Sequence, residues 1–259
     1  MANEGDIILE TVDLRKQFGG LKAVDGVTLK VRRGTLTGII GPNGAGKTTY
    51  FNLLAGAYRP TSGKVLFEGQ DVTRLAAWRR ARRGIARTFQ LTRALSRMTV
   101  RENLMLAPDG QVGERVWGPL FAAPQVRHEE EALRRKADEM LSLFELTRLA
   151  DSYAGSLSGG QKKLLELARA LMREPRLVLM DEPMAGVNPT LARKLLDKVE
   201  ALRRERGITF VLVEHNLEAV FERCHPIVVM ATGRKLIEGD AATVRAHPDV
   251  IEAYLGGAA

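Results

Sequence analysis

At 259 residues with 45% apolar content, the chain is long enough to bury a substantial core, which excludes a wholly disordered protein. Its longest apolar stretches, Leu177 to Met180 and Ile227 to Ala231, fall far short of the roughly 20 residues that cross a bilayer. The start MANEGDIILE lacks the basic and apolar pattern of a secretory signal, and the single cysteine Cys224 cannot close an internal disulfide, so a reducing cytoplasm is the expected setting.

Residues 7 to 40 read as strands, IILETV, VTLKV and TLTGII, parted by the turns GGLK and RRG, with VLFEGQ following after a helix. This predicts a partly antiparallel edge attached to a main sheet. TLTGII leads into GPNGAGKTT, which fits G-x-x-x-x-G-K-[ST] from Gly41 through Gly46, Lys47 and Thr48. Such glycines let backbone N–H groups wrap a phosphate at a helix N-terminus. Lys47 can then reach the outer phosphates, and the Thr48 hydroxyl can ligate Mg²⁺. Next comes WRRARRGIART, whose Arg79, Arg80, Arg82, Arg83 and Arg87 read as a solvated helix face. The surplus of 39 Lys and Arg over 31 Asp and Glu suits nucleic acid, an anionic membrane surface or phosphate ligands alike. Aromatic residues are scarce and none interleaves with the cluster, which disfavours base stacking.

From about residue 91 to 157 the strand signal vanishes. Thr99 to Glu102 fits a capping box, HEEEALRRKADEMLSLFEL spaces its apolar residues helically, and PDGQVGERVWGPLFAAPQ reads as a loop. Ser158 to Gln161 fits a second capping box, opening the helix QKKLLELARALM. Two further apolar runs end on polar residues: LVLM on Asp181 and Glu182, and ITFVLV on Glu214 and His215. Ligands of a parallel sheet gather at such carboxyl ends. There Asp181 can hold magnesium, Glu182 can polarise a water beside the outermost phosphate, and His215 can bond that phosphate or steady the water. Asn188 before Pro189 makes an N-cap and first helical residue. The layout predicts one α/β domain over 1–259, its core at 1–90 and 158–259 and an inserted helical subdomain at 91–157.

With LSGGQ at Leu157 to Gln161 added to these motifs, in this order and over essentially the whole chain, the sequence resembles the nucleotide-binding subunits of ABC transporters. The resemblance implies a P-loop NTPase core of RecA type with an antiparallel β edge, binding ATP with Mg²⁺ and hydrolysing it. It implies phosphate contacts from Gly41, Pro42, Asn43, Gly44, Ala45, Gly46, Lys47, Thr48 and Thr49, with Thr48, Asp181 and Gln90 toward the metal. Glu182, His215, Lys47 and Gln90 would carry hydrolysis, and Phe18 in KQFGGLKAV would stack on adenine. Ser158, Gly159, Gly160 and Gln161 would cover the ATP of a second ATPase subunit, the same or a related chain, in a head-to-tail dimer. Asn188, where many relatives have Asp, and Glu214, where Asp is common, depart from the usual pattern.

RTFQ at Arg87 to Gln90, DEPMAGVNP, VEHN and the ending IEAYLGG look like the branched-chain amino acid importer ATPases. That likeness implies two integral membrane subunits, an extracytoplasmic solute-binding protein acting through them, and a peripheral place on the cytoplasmic face of the plasma membrane. The alternatives are urea or amide uptake, lipopolysaccharide export, or a non-transport ABC ATPase acting on nucleic acid. The last usually carries a long coiled coil between phosphate loop and signature, and no sustained heptads intervene here.

Overall fold

The computed structural model describes residues 6–88, 94–108 and 123–255. They fall into two compact units: Met1–Arg87 with Arg176–Pro183 and Val199–Ala259, and Thr88–Pro175 with Met184–Lys198.

The first unit holds two sheets. Strands β1 (Ile7–Phe18), β2 (Leu21–Arg32), β4 (Ser62–Phe67) and β5 (Gln70–Asp71) form a four-stranded antiparallel sheet in the order β2-β1-β4-β5. Strands β3 (Leu36–Ile40), β6 (Ile85–Arg87), β7 (Leu177–Asp181), β8 (Thr209–Val213), β9 (Ile227–Ala231) and β10 (Arg234–Gly239) form a six-stranded sheet ordered β10-β9-β3-β8-β7-β6. All its pairings are parallel except that of β10 with β9. The N-terminal strands are therefore a separate sheet, where the sequence had suggested an edge of the main one. Every residue of β3, β7, β8 and β9 is buried, as expected of parallel strands covered on both faces.

Helix α1 (Lys47–Leu54) joins the two sheets in one core. Its Tyr50, Phe51, Leu53 and Leu54 are inaccessible and cluster with Leu14, Val27 and Val65 from one sheet and Ile39, Leu179, Val211 and Val228 from the other. The Tyr50 hydroxyl, carried inside, lies 3.0 Å from Thr11 Oγ1, so its burial leaves no hydrogen bond unmade.

The short helix α2 (Ala77–Arg82) corrects the reading of its arginines as one solvated face. Arg79, Arg82 and Arg83 are exposed, but Arg80 is 1% exposed and donates to four carbonyls, those of Leu53, Leu54, Thr73 and Leu75. Leu53 and Leu54 end α1, where carbonyls lack helical partners, so a buried cation there meets both a hydrogen-bonding need and the negative end of the helix dipole. Trp78, next to the cluster, carries the guanidinium carbons of Arg79 and Arg82 at 5.0 and 5.2 Å from its ring centroid, so an aromatic does take part.

The second unit is mostly helical. Its described elements include α3 (Val100–Met105), α4 (Ala123–Leu143) and α5 (Gly159–Leu171), and the first residues of α6 (Pro189–Arg206) group with it. Both capping boxes form: Thr99 with Glu102 at the start of α3, and Ser158 with Gln161 at the start of α5. Asn103, fully buried, uses its amide to tie down the turn before α3, accepting from Leu95 N and donating to Leu95 O and Thr99 O. An isolated bridge pairs Thr99 with Tyr153 in a segment read as helical throughout. Most of the expected loop lies outside the described residues, and its last three, Ala123–Gln125, already belong to α4. Proline is tolerated in a first helical turn, so Pro124 does not prevent this.

Candidate functional site

In the first unit, β3, β7 and β8 are adjacent and parallel, so the residues that follow them come together at one end of the sheet. The loop Gly41–Gly46 follows β3 and opens α1. Gly46, at φ 90°, precedes the first helical residue, and a Cβ there would sit 2.2 Å from Ala23 O, so only glycine fits. Gly44, at φ +81°, has nothing within 4 Å of its Cβ position, so the backbone presents an open face where a phosphate needs room. Tyr50 N donates to Gly46 O, starting the α1 ladder and leaving the first N–H groups of the helix for an anion.

Lys47 is 5% exposed and its ammonium donates to Gly41 O at 2.6 Å and Pro42 O at 3.0 Å. Burial lowers its pKa, while the charges of Glu182 and Asp181 act to raise it. The side chain thus lies folded along the loop with both acids near enough to be felt.

Asp181 ends β7 at 1% exposure, and its Oδ2 accepts from Arg87 Nη2 at 3.0 Å. Arg87, the last residue of β6, also donates to Asn52 Oδ1 at 2.6 Å and lies over the Phe51 ring. It therefore links the strand next to β7, the phosphate-loop helix and the carboxylate. In the sequence Arg87 reads as one of the solvated arginines. The hint lies in its position, half-buried at the end of a strand whose other residues, Ile85 and Ala86, are buried.

Glu182 follows with φ 47°, an uncommon left-handed conformation for a residue with a side chain, and its N–H is fixed to Val213 O at 2.9 Å. Backbone strain of this kind clusters at functional positions. The Glu182 Oε1 lies 2.8 Å from His215 Nε2, and the side chains are 17% and 47% exposed, so the pair opens to solvent. Glu214, buried, turns its carboxylate back to accept from His215 N at 3.1 Å, which fixes the backbone that carries the imidazole.

Phe18 is 44% exposed, edge-on to Tyr58 with centroids 5.6 Å apart, and Lys16 Nζ lies 4.9 Å from its ring centre. It is an accessible aromatic surface, not a core residue. Thr48 is exposed and Thr49 half-buried. Gln90 lies outside the described residues.

In the second unit, Ser158 and Gly159 are exposed at the N-terminus of α5, while Gly160 is packed so closely that a Cβ would meet Leu191 at 2.1 Å. The small residues thus serve two ends, an open surface at Gly159 and tight seating at Gly160. Asn188 caps α6, its Oδ1 accepting from Leu191 N at 2.9 Å.

Among the described residues no cluster of three or more His, Cys, Asp or Glu could hold a metal by itself, and no helix is long and apolar enough to cross a membrane. The oxygen set on hand, the Thr48 hydroxyl and the Asp181 carboxylate, fits a hard cation that takes its remaining ligands from phosphate and water, as magnesium does.

The profile of the family described as "ABC transporter" matches residues 24–185, which include the phosphate loop, the 157–161 turn and the Asp181–Glu182 pair. The chain belongs to the ABC transporter family. This cassette's residues 234–259 also match the profile described as "Branched-chain amino acid ATP-binding cassette transporter". It is 45% identical over 249 residues to the "Probable branched-chain amino acid transport ATP-binding protein LivG" of Archaeoglobus fulgidus, covering 96% of this chain and 95% of that one. Its fold matches the ADP conformation of an ABC transporter ATP-binding cassette with TM-score 0.82 and 40% identity, covering 96% and 99% of the two chains. A more distant cassette, 25% identical with TM-score 0.75 over 90% of this chain and 99% of its own, is described as dimeric, in a post-hydrolysis state bound to ADP and Pi. The cassette is a nucleotide-binding ATPase subunit of a transporter, built on the P-loop NTPase fold.

Proposed function

We propose that this ABC ATPase drives import of branched-chain amino acids, docked on two integral membrane subunits at the cytoplasmic face of the membrane and served by an extracytoplasmic binding protein. The observation that carries the catalytic reading is the Glu182–His215 pair at 2.8 Å, at the ends of adjacent strands next to the phosphate loop. Backbone N–H groups of Gly44 to Thr48 would receive the β- and γ-phosphates, Lys47 exchanging its loop carbonyls for phosphate oxygens, and Phe18 would stack on the adenine. Glu182 accepts a hydrogen bond from the attacking water and draws its proton as the water oxygen bonds to the γ-phosphorus. The bond to the β,γ-bridging oxygen breaks, and ADP carries the electron pair away. His215 holds Glu182 in place and would bond the departing phosphate. Thr48, Asp181 and Gln90 would hold Mg²⁺, which when bound neutralises charge developing on the phosphates.

The exposed Ser158–Gly159 helix start suits an anion presented by another subunit, which supports a head-to-tail dimer in which each chain completes its partner's site. ATP would favour the closed pair through contacts absent from the open one, and hydrolysis would release it. The substrate class rests on the similarity to transport proteins of that name. Co-purification of the cassette from its native membrane, followed by reconstitution, tests the reading. The expected result is two membrane subunits and ATP-dependent uptake of leucine, isoleucine or valine. Uptake of urea in place of these, or association with nucleic acid only, would overturn it.

A further inference from the structure

The surplus positive charge of this chain is local. From Val72 to Arg101 the sequence holds nine arginines and no acid, against a net charge of +8 for the whole, so the remainder is close to neutral (8 minus 9). Helix α2 lies within this run and presents Arg79, Arg82 and Arg83 to solvent, with exposed Arg74 just before it. Between them stands Trp78, 54% exposed, with the Arg79 and Arg82 guanidinium groups over its ring. Glu68 meets Arg33 and Arg176, and Asp71, its pKa lowered first by the hydrogen bond from Thr73 and also by the charges of Lys64 and Arg74, offsets part of the positive charge.

Two features mark this as more than a solvated basic surface. Trp with Arg is the pairing that settles at a membrane–water boundary, where an amphipathic ring and headgroup phosphates are both available. The mount is also rigid. Arg80, inside the same helix, donates to Leu53 O and Leu54 O at the end of α1 and to Thr73 O and Leu75 O in the turn before α2, which ties α2 to α1.

We propose that the Trp78–Arg79–Arg82 face of α2 binds the phosphate headgroups of anionic lipids, seating the cassette on the membrane surface independently of its protein partners. A lipid surface suits the geometry better than nucleic acid, because the ring already carries two guanidinium groups and so offers a base little free π surface. Arginine near an anionic surface contributes about fivefold in partitioning per residue, so two contribute about 25-fold. The site goes beyond the transport reading and stands or falls separately from it.

The test uses the purified full chain with vesicles of phosphatidylcholine alone or with a third phosphatidylglycerol, read by co-sedimentation at low salt. The chain has two tryptophans, so Trp117→Phe leaves Trp78 as the reporter. The proposal expects binding to the anionic vesicles only, a blue shift of Trp78 emission on binding, and release at 0.5 M salt, about three times physiological ionic strength. Arg79→Gln with Arg82→Gln should weaken binding about 25-fold while basal ATPase activity in solution is unchanged. Equal binding to both vesicle types, undiminished binding of the double variant, unmoved Trp78 emission, or tighter binding to a single-stranded oligonucleotide than to the anionic vesicles would each overturn it. Loss of ATPase activity in wild-type chain would count against the transport reading and leave the lipid result standing.

Discussion

Replacing Arg80 by methionine keeps most of the apolar stem and removes every donor. In the native chain this guanidinium, 1% exposed, holds Leu53 O and Leu54 O at 2.7 Å, Thr73 O at 3.0 Å and Leu75 O at 3.1 Å. Its pKa is lowered to about 10 by burial, so it remains charged at neutral pH and its bonds are charge-assisted. Leu53 O has a second donor in Gly56 N, which leaves up to three carbonyls bereft in the variant. At about 1–3 kcal/mol for each buried group left unmade, and with relief from no longer burying a cation, the net loss is about 3–4 kcal/mol. For a chain of this size that lowers the unfolding midpoint by about 10 °C. Arg80→Lys should fall between, since one ammonium cannot span carbonyls on both sides of the site. Scanning calorimetry on wild type, Arg80→Met and Arg80→Lys reads the series. A methionine variant within 2 °C of wild type would refute the tie.

Lys47→Ala should weaken ATP binding at least tenfold by titration, because the loop loses its only side-chain cation, and unchanged affinity would remove Lys47 from phosphate recognition. Arg87→Met should destabilise by about 3 kcal/mol in urea unfolding, since Asp181 stays buried while losing this ion pair, and should lower kcat together; a loss under 1 kcal/mol would contradict the link. Cys224 is buried and its thiol is pushed up to about 12 from 9.0 by that burial. The unfolded chain therefore releases this proton first, and stability should fall by up to about 1.4 kcal/mol per pH unit above pH 9, an increment absent in Cys224→Ala. Parallel pH dependence of the two proteins between pH 9 and 10.5 would show the thiol to be solvated.

What the sequence made legible is what is settled within a few residues. Both capping boxes, the Asn188 cap and the phosphate loop with its Gly46 turn are such features, because donor and acceptor lie within one helical turn. The parallel strands were legible for a different reason, as unbroken apolar runs that can only be buried on both faces. What stayed hidden depends on distant partners. Arg79, Arg80, Arg82 and Arg87 look alike in a row, yet Arg80 is set apart by carbonyls 27 residues away and Arg87 by a carboxylate 94 residues away. Strand pairing has the same character: alternation in residues 7 to 31 marked strands but carried no sign that they would pair with β4 and β5 in a sheet of their own. The edges of the helical part were blurred likewise. The 159–171 helix groups with the second unit, although its sequence reads equally well as a core helix. The strained backbone of Glu182 left no trace in composition at all.

The head-to-tail sandwich is the arrangement on which the proposed motor rests, and Glu182→Gln probes it most directly, because the substitution keeps the shape at the end of β7 and removes the group that draws the water's proton. Light scattering of this variant on a sizing column, with and without Mg-ATP, should give a monomer alone and a dimer holding two unhydrolysed nucleotides when ATP is present. A variant that binds ATP yet stays monomeric at every concentration, or that hydrolyses at the wild-type rate, would contradict it.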